Sequence, residues 1–372
     1  MQIWVFLGIF TGMAYTIVLS RTIPSDIVNL ISEIDEFKGR WAALKNIAPD
    51  RLSFLRKVAT IASIGSSTRI EGARLTDAQV EELLSNIGRH SFRSRDEEEV
   101  GGYADAMNCV FDSFAEIPIT ENHLKQLHGI LLKYSSKDTR HKGEYKKLPN
   151  NVEALDAGGK SIGIVFETAT PFNTPFYMSD LLAWYKREST ERNFHPLLVI
   201  AAFIVHFLAI HPFQDGNGRL SRILTTLALL RKGYLYVPYC SLESIIEENK
   251  DRYYLALRRA QTSFTKNPAT AGAGMEEWVR YFLRTLQKQK NILEKRLEQE
   301  KLLSLTELPA LSGAIVRHAA VRGKVTISGM VKFTKSNRNT IKKHLKDLVA
   351  KGALRKHGVG KGTWYSAAGG NP

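Results

Sequence analysis

The chain has 372 residues, 44% of them apolar, which is enough for a sizeable core with a further module appended. Its two cysteines, Cys109 and Cys240, stand far apart in apolar company, which points to reduced thiols in a cytosol, and no Cys/His spacing suits a structural metal. The net charge of +15 is uneven: residues 301–372 hold 14 Lys and Arg against 2 Asp and Glu, so 12 of the 15 charges fall in the last fifth of the chain.

Residues 1–20 carry no charge and are rich in Ile, Val, Leu and Phe, long enough to cross a bilayer. Arg21, Lys38 and Arg40 follow, so the positive-inside tendency would leave the rest on the cytoplasmic side; the missing basic leader argues against a cleaved signal peptide. Three readings stand: a membrane anchor, a true start further downstream, and a buried N-terminal helix. Residues 23–110 read as helical throughout, with Ile27, Leu30, Ile31, Ile34 and Phe37 at helical spacing and Leu52 to Ser66 leading into the string Ser67-Thr68-Arg69-Ile70-Glu71-Gly72. On a helix, Ser67 and Glu71 stand one turn apart on one face, and Gly72 suits a helix cap. Ile119 to Tyr134 is another amphipathic helix. From Gly143 to Pro175, glycine, proline, asparagine and β-branched residues predict a β-hairpin. Gly158-Gly159-Lys160-Ser161 lacks the earlier glycine of a phosphate loop, since residue 154 is Ala, and is read as the turn of that hairpin.

The densest chemistry follows. Pro196 to Ile210 is almost wholly apolar and Leu220 to Leu230 mainly so, which puts the intervening HPFQDGNGRLSR, His211 to Arg222, in a turn between two buried helices. Gly216 and Gly218 let an anion approach the unpaired amides of the second helix, and Arg219 and Arg222 share a face from which both reach one polyphosphate. His211 is the group whose ordinary pKa lies near neutrality, suited to a general base; Asp215 is a hard oxygen ligand for Mg²⁺ or Mn²⁺; Asn217 can donate to a phosphate oxygen. Two arginines and a carboxylate in one loop would be costly to desolvate for structure alone.

Met275 to Glu307 reads as a long amphipathic connecting helix with Trp278, Phe282, Leu286, Ile292 and Leu297; its apolar spacing is not a sustained heptad, which leaves a short coiled-coil contact as the route to a homodimer. Helices are expected at Ala310–Ala320, at Thr326–Phe333, and from an N-cap at Ser336 to Ala350, stopped by Gly352. On the third, Ile341, Leu345 and Leu348 recur on one face while Arg338, Asn339, Lys342 and Lys346 look elsewhere. Leu354 to Trp364 alternates around Gly358, Gly360 and Gly362 as a hairpin would, and the order resembles a winged helix-turn-helix domain. That resemblance implies a third helix entering a DNA major groove, with Lys356 and Lys361 near phosphates; a basic protein-interaction module of the same fold is the other reading.

The string from His211 to Arg222 resembles the HPFx(D/E)GNGRxxR signature of Fic-domain proteins without a departure. The resemblance implies a mainly α fold, a Fic-type helical bundle with a small β-hairpin flap, to which the C-terminal module adds its own hairpin. It implies a protein adenylyltransferase in which His211 deprotonates a Ser, Thr or Tyr hydroxyl of a target protein that then attacks the α-phosphorus of ATP. Asp215 would hold the metal, Asn217 and the loop amides of Gly216 and Gly218 the α-phosphate, Arg219 the phosphates and ribose side, and Arg222 the γ-phosphate, with Phe213 an anchor beneath. Ser67 to Gly72 fits the family's inhibitory [ST]xxxE[GN] signature, implying that Glu71 pairs with Arg222 and blocks the γ-phosphate; Glu71 could also position a water for removal of AMP. Ile164 to Thr168, and so Val165, Phe166, Glu167 and Thr168, would form the ATP-side edge of the flap. Tyr254 would stack on the adenine, and Gln261 stands where Asn is commoner. Where the family often has Gly-x-Tyr-Arg, Tyr145 is followed here by Lys146. The expected organisation is a leader (1–22), a helical region with the inhibitory motif (23–110), the Fic core (111–269), a connecting helix (270–307) and the terminal domain (308–367). The alternative function is a nucleotide-sensing transcriptional regulator.

Overall fold

A computed structural model describes residues 22–43, 49–86, 91–137, 140–155, 161–266, 268–305 and 309–367. The apolar leader and the turn at Gly158, Gly159 and Lys160 lie outside them. Among the described residues no helix is long and apolar enough to cross a membrane. In chain order the elements are α1 (Ser25–Ala43), α2 (Pro49–Ile70), α3 (Asp77–Asn86), α4 (Arg95–Ser113), α5 (Glu121–Leu131), β1 (Val152–Leu155), β2 (Ser161–Phe166), α6 (Thr174–Glu191), α7 (Pro196–Ile210), α8 (Asn217–Arg231), α9 (Leu242–Glu248), α10 (Lys250–Lys266), α11 (Pro268–Leu305), α12 (Ala310–Arg322), α13 (Ile327–Thr334), α14 (Arg338–Ala350), β3 (Leu354–His357) and β4 (Trp364–Ala367). The fold is mainly helical, as expected. Two compact units share it: Met1–Pro49 with Ala59–Gln289, and Asp50–Val58 with Lys290–Pro372.

The first unit is built on α7. Every residue from Leu197 to Ile210 is buried, because a helix apolar on all sides is stable only when other elements surround it. Pro196 sits in its first turn, where no amide donor is needed, and the His195 ring accepts the Leu197 N–H. Helix α8 returns against it, with Leu220, Ile223, Leu224 and Leu227 fully buried. Ile27, Leu30, Ile34 and Phe37 are the buried stripe of α1, with Ile31 at its edge. β1 and β2 form an antiparallel hairpin pairing Val152 with Phe166 and Leu155 with Ser161.

In the second unit Ile315, Val316, Ala319, Met330, Ile341, Leu345, Leu348, Leu354 and Tyr365 make the core, and β3 pairs antiparallel with β4. Asn337, not Ser336, caps α14, its side chain accepting the Asn339 N–H at 2.8 Å. Lys335 ends α13 in the left-handed region, φ 54°, and Ser336 belongs to that turn, donating its N–H to Thr334 Oγ1. Helix α11 begins at Pro268 rather than Met275; its first turns, PATAGAG, lack the apolar periodicity that marks a helix in sequence.

Candidate active site at the α7–α8 turn

His211 ends α7 with φ 54° and ψ 60°, its N–H donating to Phe207 O at 2.9 Å. Glycine usually takes this place; a side chain here costs about 1–3 kcal/mol and persists only where its surroundings enforce it. Nδ1 lies 3.3 Å from Leu208 O, which accepts its proton and leaves Nε2 as the acceptor. Burial, then the charge of Lys146, pulls the imidazole pKa down to about 4. The sequence suggested a base near neutrality. In the fold it is neutral well into the acid range, because its surroundings desolvate the imidazolium.

The turn is held from the segment that leads into the flap. Tyr145 bridges to Phe213, and Lys146 N donates to Pro212 O at 2.8 Å. The Lys146 ammonium donates to Ile210 O at 3.0 Å, Asn150 Oδ1 at 2.8 Å and Thr168 Oγ1 at 2.9 Å. Burial lowers its pKa to about 7. Asn150 Nδ2 donates to His211 O at 3.3 Å and Phe213 O at 2.6 Å. Phe213 is fully buried and stacks on the His128 ring, centroids 3.9 Å apart. His128 Nδ1 accepts the Gly143 N–H at 3.0 Å, so its Nε2 donates to Asp215 O at 3.0 Å. Asn217 is buried and braces the turn. Its Oδ1 accepts the Phe213 N–H at 2.9 Å and its Nδ2 donates to Phe213 O at 2.7 Å, closing the turn on itself.

Beyond Asp215 the loop is ionic. Gly216 takes φ 80° and opens α8, whose first amides have no intrahelical partners. Arg222 Nε donates to Ser67 Oγ at 2.7 Å, and its Nη2 to Ser67 O at 2.9 Å and Glu71 Oε1 at 2.8 Å. A Cβ added to Gly218 would collide with Glu71 Oε1, so the carboxylate lies directly against the first turn of α8. A helix N-terminus favours an anion there, and in this structure the carboxylate is that anion. Gly72, φ 107°, turns the chain away just after Glu71. Burial lowers the Arg222 pKa, but the Glu71 carboxylate outweighs it and the net shift is upward. Arg219 is clamped by Glu99 Oε2 at 3.0 Å and Asp215 Oδ2 at 3.2 Å, and Arg95 reaches the same Asp215 oxygen at 3.3 Å. Burial raises the Asp215 pKa, yet Arg219, the Gly216 amide and Arg95 bring it below the usual range.

A divalent cation fits this corner in one mode. Asp215 is a single carboxylate, 36% exposed, beside the anion cradle, and Mg²⁺ commonly takes one carboxylate plus phosphate oxygens and water. No cluster of three His, Cys, Asp or Glu side chains able to hold a metal occurs among the described residues.

The remaining expected positions are spread more widely. Val165 lies in β2, its side chain outside the described residues; Phe166 is buried, Glu167 exposed, and Thr168 faces Lys146 and Asn150. Tyr254 is 44% exposed, its hydroxyl 3.5 Å from Ile70 O at the end of α2, whereas Tyr253 is a core aromatic against Trp278. Gln261 is buried in α10 at 7% exposure, which leaves little of it for a base. In the second unit Arg338, Asn339, Lys342 and Lys346 are exposed on α14; the side chain of Lys361 is outside the described residues. Sequence reasoning missed Arg95, Glu99, His128 and Asn150. A signal existed for two of them: Ser94-x-x-Glu97 has the capping-box pattern, the Ser94 side chain accepting the Glu97 N–H and the Glu97 carboxylate accepting the Arg93 N–H, and it starts α4 so that Arg95 and Glu99 stand one turn apart.

Comparison with known proteins agrees with this architecture. Residues 118–229 match the Fic/DOC family. A protein adenylyltransferase Fic of Drosophila melanogaster is 30% identical over 247 residues, 65% of this chain and 46% of the relative. The chain thus spans about half the length of the curated relatives it matches. A Fic-domain-containing signalling protein of Bacteroides thetaiotaomicron superposes with a TM-score of 0.56 at 26% identity, covering 72% of this chain and 95% of that one. A Fic family protein of Desulfovibrio desulfuricans shares the fold across 94% of this chain and 98% of its own, with a TM-score of 0.56 at 24% identity. Residues 118–229 are therefore similar to the Fic/DOC family, and the chain is similar to Fic protein adenylyltransferases over 65% of its length.

Proposed function

We propose that the protein is an autoinhibited adenylyltransferase that moves AMP from ATP to a Ser, Thr or Tyr hydroxyl of a target protein. One observation carries this reading: a carboxylate, Glu71, lies against the start of α8, ion-paired to Arg222 and near enough to a neutral imidazole, His211, for its charge to act on it. Without Glu71, Arg222 stays held by Ser67 but loses its carboxylate and takes the γ-phosphate, and Arg219 and the first amides of α8 meet the α- and β-phosphates. Nε2 of His211 accepts the hydroxyl proton; the oxygen bonds to the α-phosphorus, the bond to the β-phosphate oxygen breaks, and pyrophosphate leaves. A divalent cation held by Asp215 would, when bound, neutralise phosphate charge. Glu71 prevents this by holding the arginine that the γ-phosphate needs.

The test is label transfer from α-labelled ATP into protein. Glu71→Gly is expected to raise incorporation about tenfold or more, the worth of one charge-assisted pair. His211→Ala in the same background is expected to remove about 10²–10⁴ of the rate. Equal incorporation with and without Glu71 would refute the inhibitory reading, and release of AMP from a modified target with none added would turn the assignment to the reverse reaction.

A second reading rests on the other unit. The exposed Arg338, Asn339, Lys342 and Lys346 on α14, with Arg355 and Lys356 on β3, suit a winged helix that binds DNA through phosphates. A mobility shift that weakens steeply with salt supports it; no shift at low salt rules it out.

A further inference from the structure

Four consecutive main-chain carbonyls, Ile210, His211, Pro212 and Phe213, each accept a hydrogen bond from one of two residues only four apart, Lys146 and Asn150. From this convergence we infer that Lys146 and Asn150 are positioning residues for the catalytic turn, holding His211 in its left-handed conformation and joining it, through Thr168, to the flap.

The geometry is complete in a way that packing alone would not require. An ammonium has three N–H donors, and all three of Lys146 meet oxygens, of Ile210, Asn150 and Thr168. None of those oxygens is charged, so the lysine is buried without a carboxylate at hand, an arrangement that costs stability and is kept where it holds something in place. What it holds is the one residue of the α7–α8 turn, other than glycine, with a positive φ. The amide of Asn150 works in both directions: Nδ2 binds the carbonyls of His211 and Phe213, while Oδ1 accepts from Lys146 and from Thr168 Oγ1 at 3.0 Å. Thr168 stands two residues beyond β2, and its own N–H donates to Asn151 Oδ1 at 3.2 Å. The strand on which a target segment would be added is thus tied by three polar residues to the main chain of the base. An arginine at 146 retains donors for the Ile210 carbonyl; a methionine fills the volume and retains none.

The inference deepens the adenylyltransferase reading, and its test has an arm that does not depend on it. Hydrogen exchange of the full-length protein is measured by mass spectrometry for Lys146→Met, Asn150→Ala and Lys146→Arg. The first two are expected to exchange about tenfold faster over residues 207–214. Helix α8 should keep its protection, and the arginine variant should resemble the parent. Unchanged exchange over 207–214 in both Lys146→Met and Asn150→Ala overturns the inference; faster exchange everywhere means a general loss of fold and overturns it as well. In the Glu71→Gly background, Lys146→Met is expected to lower kcat about 100-fold through misplacement of the base, with KM for ATP within about twofold, and Lys146→Arg to recover most of it. A rise in KM at constant kcat overturns the positioning role. If Glu71→Gly itself transfers no AMP, the proposed function fails while the exchange result still judges the clamp.

Discussion

The two halves of the loop from His211 to Arg222 are held by opposite physics. Before Asp215, the main chain is fixed by neutral acceptors: carbonyls bound by Lys146 and Asn150, the Phe213 ring stacked on His128, and the Asn217 amide folded back on Phe213. After it, Arg219 and Arg222 are balanced by carboxylates borrowed from elements far away in sequence, Glu99 and Glu71. The first half is shaped before any nucleotide arrives. On the proposed reading the second is neutralised and would exchange partners when a nucleotide binds, since phosphates compete for the same guanidinium groups. Rigidity and readiness to change are thus separated within twelve residues.

Three measurements would sharpen or break that contrast. The largest effect is expected from Phe213→Ala, which removes a fully buried ring that anchors the preformed half: a loss of about 3–5 kcal/mol in denaturant unfolding. A loss below about 1 kcal/mol would show that the turn does not depend on its anchor. Next is Glu99→Gln. It should destabilise the free protein by about 2 kcal/mol by leaving the buried Arg219 with a weaker partner, and ATP should restore more of the melting temperature than in the parent. If ATP restores no more than in the parent, Arg219 does not exchange Glu99 for phosphate. The smallest concerns pH. Because the folded pKa of His211 is about 4, below its ordinary 6.5, the neutral form favours folding; that stability is fully present above 6.5 and is lost as pH falls through about 4. His211→Asn, which tolerates the left-handed conformation, should flatten the stability curve across that interval, and an unaltered curve would assign the acid sensitivity to other groups.

Much of the frame was legible in the residues. The boundaries of α7 coincide with the apolar run Pro196 to Ile210, because a helix buried on all sides leaves no ambiguity of face. Ile341, Leu345 and Leu348 are the buried stripe of α14, as their spacing requires. The sequence pattern hides the start of α11, where small residues replace the stripe, and hides α6, where aromatic and charged residues are interleaved over Thr174–Glu191. Of the site, the loop residues were legible as an inventory. The bracing of the turn by Asn217 was not, because an amide that can serve a phosphate can also serve a neighbouring carbonyl, and only the closed turn shows that second use.

By itself the sequence determined the chemistry on offer: an imidazole at a helix end, glycines at the start of the next helix, two arginines on one face, and a glutamate one turn from a serine. The resemblance to a known signature suggested which arginine and which glutamate meet. Tertiary structure alone decided the rest: that Glu71 and Arg222, 151 positions apart, close to 2.8 Å, that Arg219 belongs to Glu99, and that Lys146 loses its water to grip the turn. The reason is physical. Periodicity encodes which face of an element is apolar, whereas the strength of an ion pair and the basicity of an imidazole depend on what else has been packed around them, and that is settled only when distant segments meet.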